Sequence, residues 1–258
     1  MKSASIKMLA LTATATTFAL TSQATPFSFD GNLVEHHTFD TDVSDAFGRS
    51  ATAVGGASID ATAQVGTGSL LLDGTGSVDL GAQAAANGLA QSTLSVWVNI
   101  ETQNDTLGIS AIFANDGFDA NDLHLNWAAN LFNGDAGFQA ANPNAPFPLE
   151  HVDQAGTGWT HLALVTDGSD ISFYVNGVLS ASSDALGAPL DFGGDATIGS
   201  WSNQERTFVG RVDDFRIYDI ALTGAQVAEV AGVPEPGSMA LLGLGGLALL
   251  RRRRRRCR

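Results

Sequence analysis

Apolar and polar residues alternate along most of the interior of this chain, and that period of two restricts it to strands. Leu94, Val96, Val98 and Ile100 share one face of an extended segment, with Ser95, Trp97 and Asn99 on the other. Trp159-Thr160-His161 with Leu162 and Leu164 gives a second strand. It turns at Asp167-Gly168-Ser169-Asp170 into Ile171-Ser172-Phe173-Tyr174-Val175. Asn176-Gly177 then predicts a two-residue hairpin, because both central residues of a type I′ turn need positive φ. Further short strands are expected at Leu33–Phe39, Ser69–Leu72, Ser77–Leu80, Ile109–Ala114, Leu123–Trp127, Ala196–Gly199 and Thr207–Tyr218. Asp73-Gly74, Asp116-Gly117, Asn133-Gly134 and Gly193-Gly194 supply turns between them. One helix is expected, where Thr223 and Gln226 make a capping box before Val227 and Val230 and Gly232 closes the C-terminus. Many short strands over about 200 residues predict a single all-β domain, a two-sheet antiparallel sandwich carrying one short C-terminal helix.

Both ends of the 258-residue chain read as addresses rather than fold. Residues 1–24 have the form of a secretory signal: Lys2 and Lys7, an apolar run from Met8 to Leu20, and Ser22-Gln23-Ala24 as a small-x-small cleavage site. At the other end, Val233-Pro234-Glu235-Pro236 precedes an apolar run over Met239–Leu250, and six arginines follow. This is a rigid break, a membrane-seeking segment and a cationic stop that stays cytoplasmic. As a helix, twelve residues rise about 18 Å, short of a hydrocarbon core of roughly 30 Å, which suits temporary retention better than permanent anchoring. The domain is therefore expected over residues 25–232. Cys257, the one cysteine, lies in the tail, so there is no disulfide framework and no cysteine metal site.

Charge narrows the partners. Between residues 25 and 232 four basic residues, Arg49, Arg206, Arg211 and Arg216, stand against 26 acids, a formal charge of −22. Such a surface repels a phosphate backbone and excludes nucleic acid as a partner. Cation-rich surroundings, calcium or salt, would screen its self-repulsion. A hydrophobic fraction of 44 %, with four Trp and 14 Phe, favours a packed core over disorder.

The tail, with Pro234, Glu235 and Pro236, resembles the PEP-CTERM sorting signal. That resemblance implies a Gram-negative bacterium that makes extracellular polysaccharide. It also implies cleavage near Pro-Glu-Pro by an exosortase, transient inner-membrane association through residues 239–250, and release to the outer surface or extracellular matrix. The domain resembles the LamG-like, concanavalin A-like jelly roll. The matching stretches run in family order: Phe39-Asp40 with Asp45-Ala46-Phe47-Gly48, then Gly68 to Gly74, Leu94 to Val98, Trp159 to Val165, and Phe173 to Gly177. Ile198-Gly199, Phe208 to Tyr218 and Ala221-Leu222-Thr223 complete the set.

Many members of the LamG-like family carry calcium between the opening-strand loop and the closing strand, which here implies Asp40, Asp45 and Asp213. Val212 and Phe215, three apart, both face the core only if a bulge intervenes at Asp213-Asp214, and a bulge frees carbonyls for a cation. The same acids also fit a solvated acidic surface. Asp116, Asp119 and Asp122 lack the alternating pattern of an EF-hand loop and read as a solvated turn. For a glycan, Trp127 and Trp201 are the aromatics less clearly embedded in apolar strand patterns, and Trp201, in a polar loop, is the better candidate for stacking; Trp97 and Trp159 read as core. His36 and His37 point to opposite faces of a strand and cannot share a metal, and His161 reads as a packed strand residue.

No catalytic residue is nominated. The mature glutamates Glu35, Glu101, Glu150, Glu205 and Glu229 start no Glu-x-Asp-x-Glu strand, and neither Gly-x-Ser-x-Gly nor His-Glu-x-x-His occurs. The expectation is a non-enzymatic exported module that binds extracellular polysaccharide or surface glycan. A structural acidic matrix protein is the alternative, and a glycan-active enzyme trails both.

Overall fold

A computed structural model of the chain describes residues 27–82, 86, 88–103, 108–115, 122–129, 135–141, 149–152, 158–183, 195–201 and 204–232. The leader over 1–24, Pro234, Glu235 and Pro236, the apolar run 239–250, Asp116 and Asp119 lie outside the described residues. A 3-10 turn at Asp30–Asn32 leads into β1 (Leu33–His37), β2 (Thr52–Val54), β3 (Ser58–Asp60), β4 (Ser69–Asp73) and β5 (Ser77–Ala82). The middle of the chain forms β6 (Ser92–Gln103), β7 (Ile109–Asn115), β8 (His124–Ala128), β9 (Gly137–Ala141) and β10 (Leu149–Val152). It closes with β11 (Trp159–Thr166), β12 (Ile171–Val175), β13 (Val178–Ser183), β14 (Asp195–Ile198), β15 (Phe208–Tyr218) and α1 (Gly224–Val230).

These strands form two antiparallel sheets. The eight-stranded sheet runs β13-β12-β11-β6-β15-β4-β3, with β1 also on β15; the seven-stranded sheet runs β10-β9-β8-β7-β14-β5-β2. The alternation read from sequence decides which side chains meet between the sheets. Val96, Val98, Leu162, Leu164, Phe173, Val212, Phe215 and Ile217 from the first join Leu125, Trp127, Phe138, Ala196 and Ile198 from the second in one core. The β12–β13 hairpin turns on Asn176 (φ 50°) and Gly177 (φ 76°), the two positive values a type I′ turn needs.

β15 changes partner part-way along one side, pairing with β4 over Val209–Val212 and with β1 over Phe215–Tyr218. The two partners meet at Asp213-Asp214, and there the register against β6 shifts and Asp214 takes φ 50°. The expected bulge is present, and both Val212 and Phe215 are fully buried.

A second, smaller cluster lies on the outer face of the eight-stranded sheet. Val227 and Val230 of α1 pack there with Phe29, Ala163, Val165, Tyr218 and Leu222. The helix starts as the capping box predicts: Thr223 accepts from the Gln226 N–H, and the Gln226 side chain accepts from the Thr223 N–H. Four strands escape the sequence reading: β2 and β3, at three residues each, β9, read from Gly-Phe-Gln-Ala-Ala, and β10, read from Leu-Glu-His-Val.

Candidate functional site

Asp40, Asp45 and Asp213 each have a different task. Asp213 Oδ2 accepts the backbone N–H groups of Gln64, at 2.8 Å, and Val65, at 2.9 Å. Asp40 Oδ1 accepts from the N–H groups of Thr67 and Gly68 and from the Thr67 hydroxyl. Two carboxylates thus hold the segment between β3 and β4. Asp45 does neither. Its Oδ1 accepts the His36 N–H, and its Oδ2 is ion-paired with Arg49 Nε at 2.6 Å.

The three acids of the expected calcium set therefore have different partners. Asp45 is already paired with the Arg49 guanidinium. Among the described residues no three His, Cys, Asp or Glu side chains are grouped to hold a metal. Asp213 Oδ1 is buried with no hydrogen-bond partner, and burial pushes its carboxyl up to about 7, helped by the neighbouring Asp214 charge. Asp214 itself is held low despite its burial by a 2.7 Å contact to His36 Nε2 and by Arg216, at 2.9 Å.

Asp213 pairs in register with Trp97, and Trp97 with His161, so three polar side chains line up across β15, β6 and β11. Trp97 Nε1 and His161 Nδ1 are also buried without partners. His161 Nε2 lies 2.8 Å from Ser95 Oγ, and burial holds its imidazole down to about 3, so it stays neutral. His36 and His37 do point apart, the first to Asp214 and the second to Glu35 and the Val43 carbonyl.

The second place is the loop between β14 and β15. Trp201 closes it on itself: its N–H donates to the Glu205 carbonyl and its carbonyl accepts from the Gln204 N–H, both at 2.9 Å. The loop is fastened into β7, whose bulge after Ala111 leaves backbone groups free. The Ala111 N–H donates to the Arg206 carbonyl at 2.7 Å, and the Ile112 carbonyl accepts from the Gly199 N–H at 3.0 Å. Gln204 (φ 64°) and Arg206 (φ 52°) are both left-handed, a conformation that costs non-glycine residues about 1–3 kcal/mol.

What this backbone holds is a stack on the outer face of the seven-stranded sheet. The Arg206 guanidinium lies 3.7 Å over the Trp201 ring, and His124 of β8 meets that ring edge-on at 4.9 Å. Leu125 faces the core, so His124 and Asn126 face outward, and Ala111 and Ala114 of β7 are their register partners. Trp201 Nε1, Arg206 Nε and Asn126 Oδ1 are buried without hydrogen-bond partners, while Trp201 and Arg206 as whole residues are half-buried. Burial holds the His124 imidazole down to about 4, and the Arg206 charge adds to that.

Trp201 is therefore a loop aromatic as expected, but one face already carries a guanidinium. Trp127 lies in the core instead: it is 2 % exposed and packs edge-on against Phe138. The sequence reading missed Arg206 and His124. The one available signal was that Arg206 is among only four basic residues of the domain.

The sequence profile of the concanavalin A-like lectin/glucanases superfamily matches residues 72–228, more than half of the chain. The chain belongs to that superfamily. The profile of the PEP-CTERM protein-sorting motif matches residues 232–255, as expected of an exported surface protein. Human usherin is 37 % identical over 78 residues, 28 % of this chain, and the match spans only 2 % of usherin's length.

Among solved structures, domain 4 of AbnA, an extracellular arabinanase from Geobacillus stearothermophilus in complex with arabinotriose, superposes with a TM-score of 0.61 at 23 % identity. The match covers 78 % of this chain and 98 % of that one. The binding domain of Paraclostridial Mosquitocidal Protein 1 gives 0.58 at 16 % identity, over 79 % of this chain and 52 % of that one. A botulinum neurotoxin type C structure, whose cell entry depends on two ganglioside molecules, gives 0.61 at 11 % identity, over 79 % and 51 %. At these identities the shared property is the fold. Among the described residues no helix is long and apolar enough to cross a membrane.

Proposed function

We propose that this superfamily member is a glycan-binding module of the cell surface or extracellular matrix, and that it binds rather than cleaves. The observation that carries the reading is the Trp201 assembly. An aromatic ring, a guanidinium and an imidazole converge on the outer face of the seven-stranded sheet, and three buried polar atoms there have no protein partner. Buried polar groups without partners are rare in folded chains, and a hydroxyl-rich ligand supplies both donors and acceptors. Structural neighbours whose own names record arabinotriose and ganglioside support the class of ligand. The sorting motif supports handling by an exosortase, with residues 239–250 holding the chain at the inner membrane until cleavage. Calcium is proposed at Asp213 Oδ1, with Asp40 and loop carbonyls near it and without Asp45.

The test is a pull-down of purified residues 25–232 on the host's extracellular polysaccharide. Saturable binding that free oligosaccharide competes away, and that Trp201→Ala weakens ten-fold or more, is the expected result. An absence of saturable binding, with or without calcium, would leave the −22 charge as the dominant property and favour the acidic matrix protein.

A further inference from the structure

We propose that Arg206 and Trp201 form a carboxylate-reading subsite, so that the glycan taken by this face is an acidic one built from uronic acid-type sugars. This rests on the glycan reading above and names its substrate class. Four arginines serve the whole domain. Arg49 pairs with Asp45, Arg211 with Asp60 and Glu101, and Arg216 with Asp214 and Asp30. Among the described residues Arg206 alone makes no ion pair, in a domain where acids outnumber bases more than six to one. An arginine in such surroundings meets a carboxylate by default unless the backbone holds it elsewhere.

Here the backbone does so, through two departures into left-handed conformation, at Gln204 and at Arg206. Among the described residues, the acids on adjoining segments have other partners: Asp122 accepts from Asn115 Nδ2, and Glu205 has contacts of its own. Stacking on Trp201 fixes the guanidinium plane, and a stacked guanidinium keeps its N–H edge available for a planar, two-oxygen acceptor. Arg206 Nε and Trp201 Nε1 are both donors, both buried and both without an acceptor. A sugar carboxylate brings two acceptor oxygens and a charge to match, whereas a hydroxyl brings neither the second oxygen nor the charge. His124 beside the ring is neutral and does not oppose this.

The surrounding negative surface then adds selectivity. A polyanion is repelled everywhere except where a carboxylate seats on Arg206, so loose adhesion is suppressed while the seated contact remains.

The experiment uses the full chain, titrated with trigalacturonate and with the same trimer after its carboxyls are reduced to alcohols. The readout is the Trp201 Nε1–H resonance, assigned by its loss in Trp201→Phe. The six consecutive arginines at 251–256 would bind any polyanion, and a signal local to Trp201 does not register them. Wild type is expected to bind the acidic trimer at least about ten-fold more tightly than the reduced one. Arg206→Gln should bring that ratio close to one, losing far more affinity for the acidic trimer than for the reduced one. Arg206→Lys, which keeps the charge but loses the fork, should fall between. Urea melts of the free variants that match wild type, with one sharp Trp201 Nε1–H resonance still present, show that the loop has kept its fold. Equal affinity for both trimers, unchanged in Arg206→Gln, would overturn the acidic subsite and leave glycan binding standing. Failure of both trimers together with the polysaccharide would overturn the subsite and the glycan reading alike.

Discussion

Replacing Asp213 by Asn should make this domain more stable at alkaline pH, the opposite of what removing a carboxylate usually does. The residue is fully buried at the β15 bulge, with two N–H groups on Oδ2 and none on Oδ1. Burial raises its carboxyl from 3.8 to about 7. Across that interval the folded chain keeps a proton that the unfolded chain has released. The stability this contributes is complete below pH 4 and is lost as pH rises through 7. At about 1.4 kcal/mol per pH unit, the two units between pH 5 and 7 amount to about 2–3 kcal/mol. Asparagine matches the protonated acid in shape and still accepts from Gln64 and Val65. In chelator, urea melts at pH 5, 6, 7 and 8 should therefore show Asp213→Asn gaining on wild type by about 2 kcal/mol across the series. Millimolar calcium at pH 8 should raise wild type and leave the variant unmoved, because a cation on Oδ1 takes over the proton's role. A variant that loses ground to wild type between pH 5 and 8 would refute the reasoning. It would mean that the two N–H groups, not burial, set the charge of this carboxyl.

Two further predictions concern stability alone. His161 is neutral in the fold, its imidazole held at about 3 by burial, so its contribution is present above the unfolded value of about 6.5 and is lost as pH falls. His161→Gln should remove part of the acid-side loss, roughly 2 kcal/mol between pH 6.5 and 5, read from the same urea melts and opposite in sign to the Asp213 effect. Gly210 sits at φ 150° with its would-be Cβ 2.2 Å from the Asn99 carbonyl oxygen, so Gly210→Ala must displace β15 from β6. A loss of about 2–4 kcal/mol is expected by thermal or urea unfolding, and a change under 0.5 kcal/mol would show that the two strands part easily.

Much of the architecture was legible because strand parity is a local property. The Leu94–Ile100 run, the Asn176-Gly177 turn and the Thr223/Gln226 cap each depend on neighbours within a few residues, and each appears in the structure. The bulge at Asp213-Asp214 was legible for the same reason, as a break in parity between Val212 and Phe215. Trp127 was misplaced although parity could have placed it, since Leu123, Leu125 and Trp127 fall on one face and all three are buried. β2 and β3 carry too few residues for a period to show. Nothing local marks the Asp45–Arg49 pair as an internal lock instead of a loop ligand, or announces that Arg206 lies on Trp201.

The misreadings share a physical cause. On the inner faces of a sandwich, period and hydrophobicity identify a residue's neighbours, because any apolar side chain of the right parity meets another. On the outer faces, identity depends on which distant segment crosses the strand, and that is a matter of topology. Asp213 meets Gln64 because β15 runs beside β4, and Trp201 meets His124 because β14 runs beside β7 and β7 beside β8. Composition recovers part of what topology hides. With four arginines and 26 acids, pairing is the default for every guanidinium, so the one held away from acids by a left-handed backbone is the informative one. The same reasoning separates the two candidate places. At Asp213, negative charge is crowded, which is the ground for proposing a cation there; at Arg206, positive charge makes no ion pair among the described residues, which is the ground for proposing an anion. The two sites lie on outer faces of opposite sheets, so calcium at the first is expected to stabilise the domain without entering the ligand contact at the second.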